Sequence, residues 1–245
     1  MKNNYQSKPF IGLSHRGNSK DYIENSFEAF KSVIDMGFEY IETDLRKTLD
    51  NEIIAFHDPN LKRLFNVDLK VEDLTFKEID NFFAIKNCKL LSFKDVLNNF
   101  PEIKFNVDLK IRGLVHDSIK IVKESNAFDR VCFASFNSSH TDLVLKNNSN
   151  AIVSMGMKDV AYFKFFNFLR KNSQILQVPL SWNGINIVND KLIQKTKDNN
   201  LLIHVWTIND SKTIRKLIEM GVNGIVTDEP QLIMDIMKEK KLIFD

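Results

Sequence analysis

Short apolar runs recur along this chain, separated by polar stretches and turn-forming residues. Strands are predicted at 10–15 (FIGLSH), 38–45 (FEYIETDL), 52–57 (EIIAFH), 103–109 (IKFNVDL), 130–135 (RVCFAS), 151–156 (AIVSMG), 175–180 (ILQVPL), 201–207 (LLIHVWT) and 223–228 (NGIVTD). They are short, often β-branched, and bounded by Gly, Pro, Asn or Asp. Helices are predicted between most of them: Ser26 to Met36, Phe93 to Phe100, Leu114 to Asn126, Ser138 to Asn147, Val160 to Lys171, Asp190 to Asn199, Asp210 to Met220 and Pro230 to Lys240. Alternation of this kind specifies an α/β fold with parallel strands inside and helices outside.

One connection breaks the rhythm. Only about seven residues separate Leu45 from Glu52, too few for a parallel crossover. Those two strands are predicted to form an antiparallel hairpin; with Asp50 and Asn51 as a two-residue turn, Asp44 would face His57. Eight parallel candidates remain, the number a closed TIM (β/α)8 barrel needs. The stretch Pro59 to Leu91, with one helix near Phe76 to Phe83, reads as a small insertion above the barrel. At 245 residues the chain has the length of one barrel domain, commonly about 250 residues, and residues 1–245 are expected to form it.

Composition narrows the partners. The chain is 43% hydrophobic and 27% charged, and its +2 net charge is the remainder of 34 basic and 32 acidic residues. Such a balance gives no field to attract nucleic acid or an acidic membrane, so any anion must be bound locally. Cys88 and Cys132 lack C-x-x-C spacing and read as buried free thiols. No apolar run precedes the first strand or reaches about 18 residues, so a cytoplasmic protein without stable membrane association is expected. The oligomeric state stays open.

In a parallel barrel, reactive groups sit at the C-terminal ends of strands, and polar residues collect there. With a strand period of two, Glu42 and Asp44 share a side, as Asp108 does with Lys110. Three converging carboxylates would need a cation, and oxygen-only ligation suits Mg²⁺ or Ca²⁺; the alternative is ion pairing with Arg16, Arg46 and Lys110. His15 and His57, both at strand ends, could form a proton-transfer pair or be ordinary packed histidines. His116 and His140 fall in helices and His204 in mid-strand, where packing is expected. Arg16 and Lys110 could bind an anion as fork and point charge, and Trp206 could line a pocket or the core.

Seven strings in order along nearly the whole chain resemble the glycerophosphodiester phosphodiesterase family: SHRGNSKDYIENSFEAF, FEYIETDLRKTLDNEIIAFHDPNLKRL, LLSFKDVLNNFP, FNVDLK, FASF, HVWTIND and GVNGIVTDEP. The resemblance implies a barrel with an insertion after the His-Asp motif and one divalent cation, Mg²⁺ or Ca²⁺ with Mn²⁺ a further candidate. It also implies hydrolysis of a small glycerophosphodiester to glycerol 3-phosphate and an alcohol. Carried over by residue, it implies His15 and His57 as general acid and base, Glu42 and Asp44 as metal ligands, Arg16 and Lys110 on the phosphate, and Glu24 orienting Arg16 or a ligand. Two positions depart from the pattern: Ser26 stands where Thr is usual, and Asp108 where the third ligand is usually Glu, on a stem one methylene longer. Phospholipase D-type cleavage of lysophospholipids is the near alternative, and a catalytically silent phosphate-binding barrel, motivated by Asp108, the distant one.

Overall fold

The computed structural model describes residues 5–170, 172 and 174–243. In chain order its elements are β1 (Ile11–His15), α1 (Phe27–Asp35), β2 (Tyr40–Lys47), β3 (Ile53–Ala55), α2 (Lys62–Phe65), α3 (Phe76–Ile85), α4 (Phe93–Asn99), β4 (Lys104–Leu109), α5 (Val115–Glu124), β5 (Val131–Ala134), α6 (Ser138–Asn147), β6 (Ile152–Val153), α7 (Met157–Phe166), β7 (Ile175–Pro179), β8 (Ser181–Trp182), β9 (Ile185–Asn186), α8 (Asp190–Asp198), β10 (Leu202–Trp206), α9 (Ser211–Met220), β11 (Gly224–Thr227) and α10 (Pro230–Glu239). Eight parallel strands run in the order β6-β5-β4-β2-β1-β11-β10-β7. A parallel bridge between Ser154 and Ile175 joins the two ends, so the ring closes as the alternation predicts. Several helices begin where a side-chain oxygen satisfies one of the first amides, as Ser26 does for Ala29 and Asp210 for Thr213.

Period-two alternation divides the apolar residues between two cores. Inward residues such as Leu13, Tyr40, Cys132 and Val226 fill the barrel. Outward ones such as Ile41, Phe105, Phe133 and Ile225 pack under the helices. The N-terminal segment closes the barrel floor. Tyr5 meets the Tyr40 ring edge-on at 5.5 Å, and Gln6 Oε1 accepts a hydrogen bond from His204 Nε2 at 2.8 Å. His204 is fully buried, as its mid-strand place predicts, and both cysteines are buried free thiols.

The hairpin exists but in a different register. Leu45 pairs with Ala55 and Lys47 with Ile53, and the Phe56 amide donates to the Asp44 carbonyl at 2.9 Å. Phe56, not His57, therefore stands opposite Asp44. The cause lies in the turn: Thr48 and Glu52 close a three-residue loop in which Asn51 takes a left-handed φ of 65°. That extra left-handed residue shifts the pairing by one.

Residues 59–91 are more organised than one helix. They contain α2, α3 and a 3₁₀ turn at Val71–Asp73. A separate apolar cluster of Phe56, Leu61, Val71, Ile79, Phe83 and Leu90 holds them over the hairpin. The helix expected from Val160 to Lys171 instead runs from Met157 to Phe166, ending at left-handed Asn167; Lys171 lies outside the described residues. The short β8–β9 hairpin after β7 was not anticipated.

Candidate active site

The strand ends meet at the C-terminal mouth of the barrel around a cavity of about 470 Å³. His15, Arg16, Glu42, Asp44, His57, Asp108, Lys110 and Trp206 all line it, while Glu24 stands behind Arg16. Arg16 and Gly17 turn the chain through left-handed φ angles of 61° and 79° just after β1. A β-carbon at Gly17 would lie 2.7 Å from the Ala29 backbone, so only glycine fits this turn. The turn swings the Arg16 guanidinium over the second strand. Its Nε lies 3.0 Å from Asp44 Oδ2, in ionic contact without hydrogen-bond alignment, and its Nη1 donates to Glu24 Oε1 at 3.1 Å.

Strand register sets the rest. Asp44 and Asp108 are paired positions on β2 and β4, and Lys110 Nζ lies between their side chains, 2.7 Å from Asp44 Oδ1 and 2.6 Å from Asp108 Oδ2. The two carboxylates respond differently. Burial raises both, but Asp44 has Lys110 and Arg16 against it and is held below the usual carboxylate range. Asp108 has the single lysine and stays above that range. Glu42 is pushed well above its ordinary value, first by burial and then by Asp44. Its Oε2 is buried without a hydrogen-bond partner, and the His15 Nε2 atom lies 3.8 Å away.

This donor set fits a hard cation by its chemistry. It is oxygen-only, and two buried oxygens, Glu42 Oε2 and Asp44 Oδ2, accept no hydrogen bond. It is not preassembled: among the described residues no three His, Cys, Asp or Glu side chains form a metal-binding group, since Lys110 holds Asp44 and Asp108. The ion pairs anticipated with Arg16 and Lys110 are present, while Arg46 turns away and donates from Nε to the His57 carbonyl at 2.9 Å.

Each candidate histidine is oriented through Nδ1 by an aspartate. His15 Nδ1 lies 2.6 Å from Asp228 Oδ1, and Asn209 donates to the other Asp228 oxygen at 2.8 Å. His57 Nδ1 lies 2.6 Å from Asp58 Oδ1, and Arg63 Nε donates to Asp58 Oδ2 at 2.6 Å. Arg63 then forks onto both Glu24 oxygens at 2.7 and 2.8 Å. Glu24 thus links Arg16 to the His57 support, a wider role than orienting Arg16 alone. Burial holds the His57 ring below its ordinary pKa, against the opposing pull of Asp44.

Sequence reasoning missed the pairing role of Asp228, Asp58, Arg63 and Asn209. Asp228 and Asp58 carried the signal of polar strand-end residues; Arg63 and Asn209 carried none beyond membership of HDPNLKRL and HVWTIND. The opposite cavity wall is apolar. Met157, Val160, Phe165, Val178, Trp182 and Ile185 line it, and Trp206 meets the Phe136 ring edge-on at 5.5 Å.

Known proteins resemble this chain over most of their length. A glycerophosphodiester phosphodiesterase of Caldanaerobacter subterraneus subsp. tengcongensis is 28% identical, over 93% of this chain and 97% of its own. A lysophospholipase D of Mus musculus is 23% identical, over 92% of this chain and 85% of its own. The structure of an Oleispira antarctica phosphodiesterase in complex with the product sn-glycerol-3-phosphate superposes with a TM-score of 0.78 at 18% identity, covering 96% of this chain and 99% of that one. The model of the Glycerophosphoryl diester phosphodiesterase family matches residues 15–232, and the chain belongs to that family.

Proposed function

We propose that this protein hydrolyses glycerophosphodiesters to sn-glycerol 3-phosphate and a free alcohol, in a metal-dependent reaction with His15 and His57 as its proton-transfer pair. The observation that carries the reading is the pair of aspartate-held histidines at one cavity mouth, flanking a cluster of buried carboxylates and two cations. Arg16, pinned between Glu24 and Asp44, and Lys110 face the diester anion as rigid fork and point charge. Glu42 and Asp44, assisted by Asp108, would hold one Mg²⁺, Ca²⁺ or Mn²⁺ ion, which when bound supplies Lewis-acid polarisation of the phosphoryl oxygens. His57, with its pKa lowered by burial, presents an unprotonated Nε2 at neutral pH and takes the proton of the attacking hydroxyl. His15, oriented by Asp228, delivers a proton from Nε2 to the departing alcohol oxygen as the P–O bond breaks.

The test is release of sn-glycerol 3-phosphate from glycerophosphocholine and glycerophosphoethanolamine, with and without EDTA. Silence on every diester with added Mg²⁺, Ca²⁺ and Mn²⁺ would favour a phosphate-binding barrel. The apolar cavity wall favours a second reading, phospholipase D-type cleavage of lysophospholipids, whose acyl chain would lie along it. Turnover of lysophosphatidylcholine against glycerophosphocholine separates the two.

A further inference from the structure

Helix α7 departs from the pattern of the other barrel helices. It buries Phe163 in the core, yet Tyr162, Phe165 and Phe166 on its outer side stand 43%, 60% and 73% exposed. A surface helix normally turns its aromatic side chains toward the core and its polar ones outward. The aromatic surface continues past its end: Phe168 is 64% exposed, and Tyr162 contacts the rings of Phe166 and Phe168 at 5.8 and 6.3 Å. Across the cavity mouth, Trp182 and Ile185 of the β8–β9 hairpin are exposed too. Lys164 ties helix to hairpin, donating to the carbonyls of Asn186 and Ile187 at 2.9 and 2.7 Å. With Phe136 and Met157, which are exposed and line the cavity, eight of the thirteen exposed large apolar side chains among the described residues gather around this one rim.

We propose that this rim docks onto the surface of a phospholipid bilayer and sets the cavity mouth at the lipid–water boundary. Two features select a bilayer. First, Phe165, Trp182 and Ile185 are at once rim and cavity lining, so the apolar surface leads without a break into the site. Second, the charge is cationic where it is free. Asp159 is paired to Arg170 at 2.8 Å, while Lys158 and Lys164 carry no acidic partner among the described residues and sit beside the aromatics, as interfacial segments facing lipid phosphates do. Among the described residues no helix is long and apolar enough to cross a membrane. Helix α7, at about 15 Å, would lie flat with its aromatic side down. Reversible docking of this kind needs no spanning segment and is compatible with the absence of stable membrane association expected from the sequence.

The experiment is co-sedimentation of the full chain with neutral phosphatidylcholine vesicles and with anionic phosphatidylcholine–phosphatidylglycerol vesicles, alongside the Phe166→Ser/Phe168→Ser double variant and Lys158→Glu. Neither phenylalanine lines the cavity, and both are exposed, so folding and turnover of water-soluble glycerophosphocholine should be retained. The wild type should sediment with vesicles, the double variant should partition roughly tenfold less or weaker still, and Lys158→Glu should lose binding on the anionic vesicles only. A wild type left in the supernatant, or a double variant that partitions like it, would overturn the proposal. So would a wild-type dimer that the double variant converts to monomer, since the face would then belong to a second copy. Because partition is read without turnover, an enzyme silent on every diester would leave this result standing.

Discussion

The two walls of the cavity are built from strand ends of one ring and carry opposite chemistry. The wall from β1, β2 and β4 bears His15, Arg16, Glu42, Asp44, Asp108 and Lys110, and each of these has an ionic or hydrogen-bonded partner within 4 Å. The facing wall, from β7, α7 and the β8–β9 hairpin, is apolar and merges into exposed aromatic surface. On the first wall position is fixed by charge pairs that tolerate little displacement. On the second it is set by apolar packing and by the Lys164 bonds between α7 and the hairpin. Such a division lets a barrel keep its reaction while changing which alcohol or acyl group it accepts.

The sharpest way to break the comparison is to disarm the charged wall. Chelation with EDTA, or Glu42→Ala, should reduce glycerol 3-phosphate release to background while the thermal unfolding midpoint changes little, because Lys110 already neutralises Asp44 and Asp108. Calorimetry beside the assay checks both halves of that statement. Next in size, His15→Ala and His57→Ala should each lower kcat by roughly 10²- to 10⁴-fold with the fold retained. Near-normal kcat in either would reassign the proton-transfer pair.

The apolar wall is probed by Trp182→Ala. It should lower kcat/KM on lysophosphatidylcholine by about tenfold, equal to about 1.4 kcal/mol, and leave glycerophosphocholine within about twofold. An equal loss on both substrates would mean that this wall serves the reaction rather than selection.

The smallest effect at neutral pH concerns neither wall. His204, on the barrel floor, has its pKa pushed down to about 3 by burial. Since the folded value lies below the unfolded one of about 6.5, its stabilisation is complete above that pH and is lost as pH falls toward 3. Urea unfolding should therefore show a loss of about 2 kcal/mol between pH 7 and 5 from this group. His204→Gln should flatten that part of the profile; an unchanged slope would assign it to other groups.

Much of this is legible in the amino-acid sequence alone. Alternation predicted the ring, and strand period with the strand-end rule placed Glu42, Asp44 and Asp108 on one inner face. What escaped was non-local or depended on one backbone angle. Asp228 supports His15 from 213 residues away, a neighbour relation created only when β1 pairs with β11. The hairpin register turned on Asn51 adopting a left-handed φ, which Asp-Asn signals weakly. The string FKFFNFL is apolar without helical or strand period, so it announced a helix but not which side would remain uncovered.

The floor of the barrel has a consequence for biosynthesis. Gln6 bonds to residues 198 and 217 positions further along the chain, and β1 completes its pairing only with β11. A chain emerging from the ribosome can assemble its middle strands early, but its opening strand waits with one edge bare until the last has been made. Long-range closure of this kind is slow and leaves an unpaired edge in reach of other chains. For this protein the hazardous interval is the one just before β11 is made, when seven strands are present and the seam is still open.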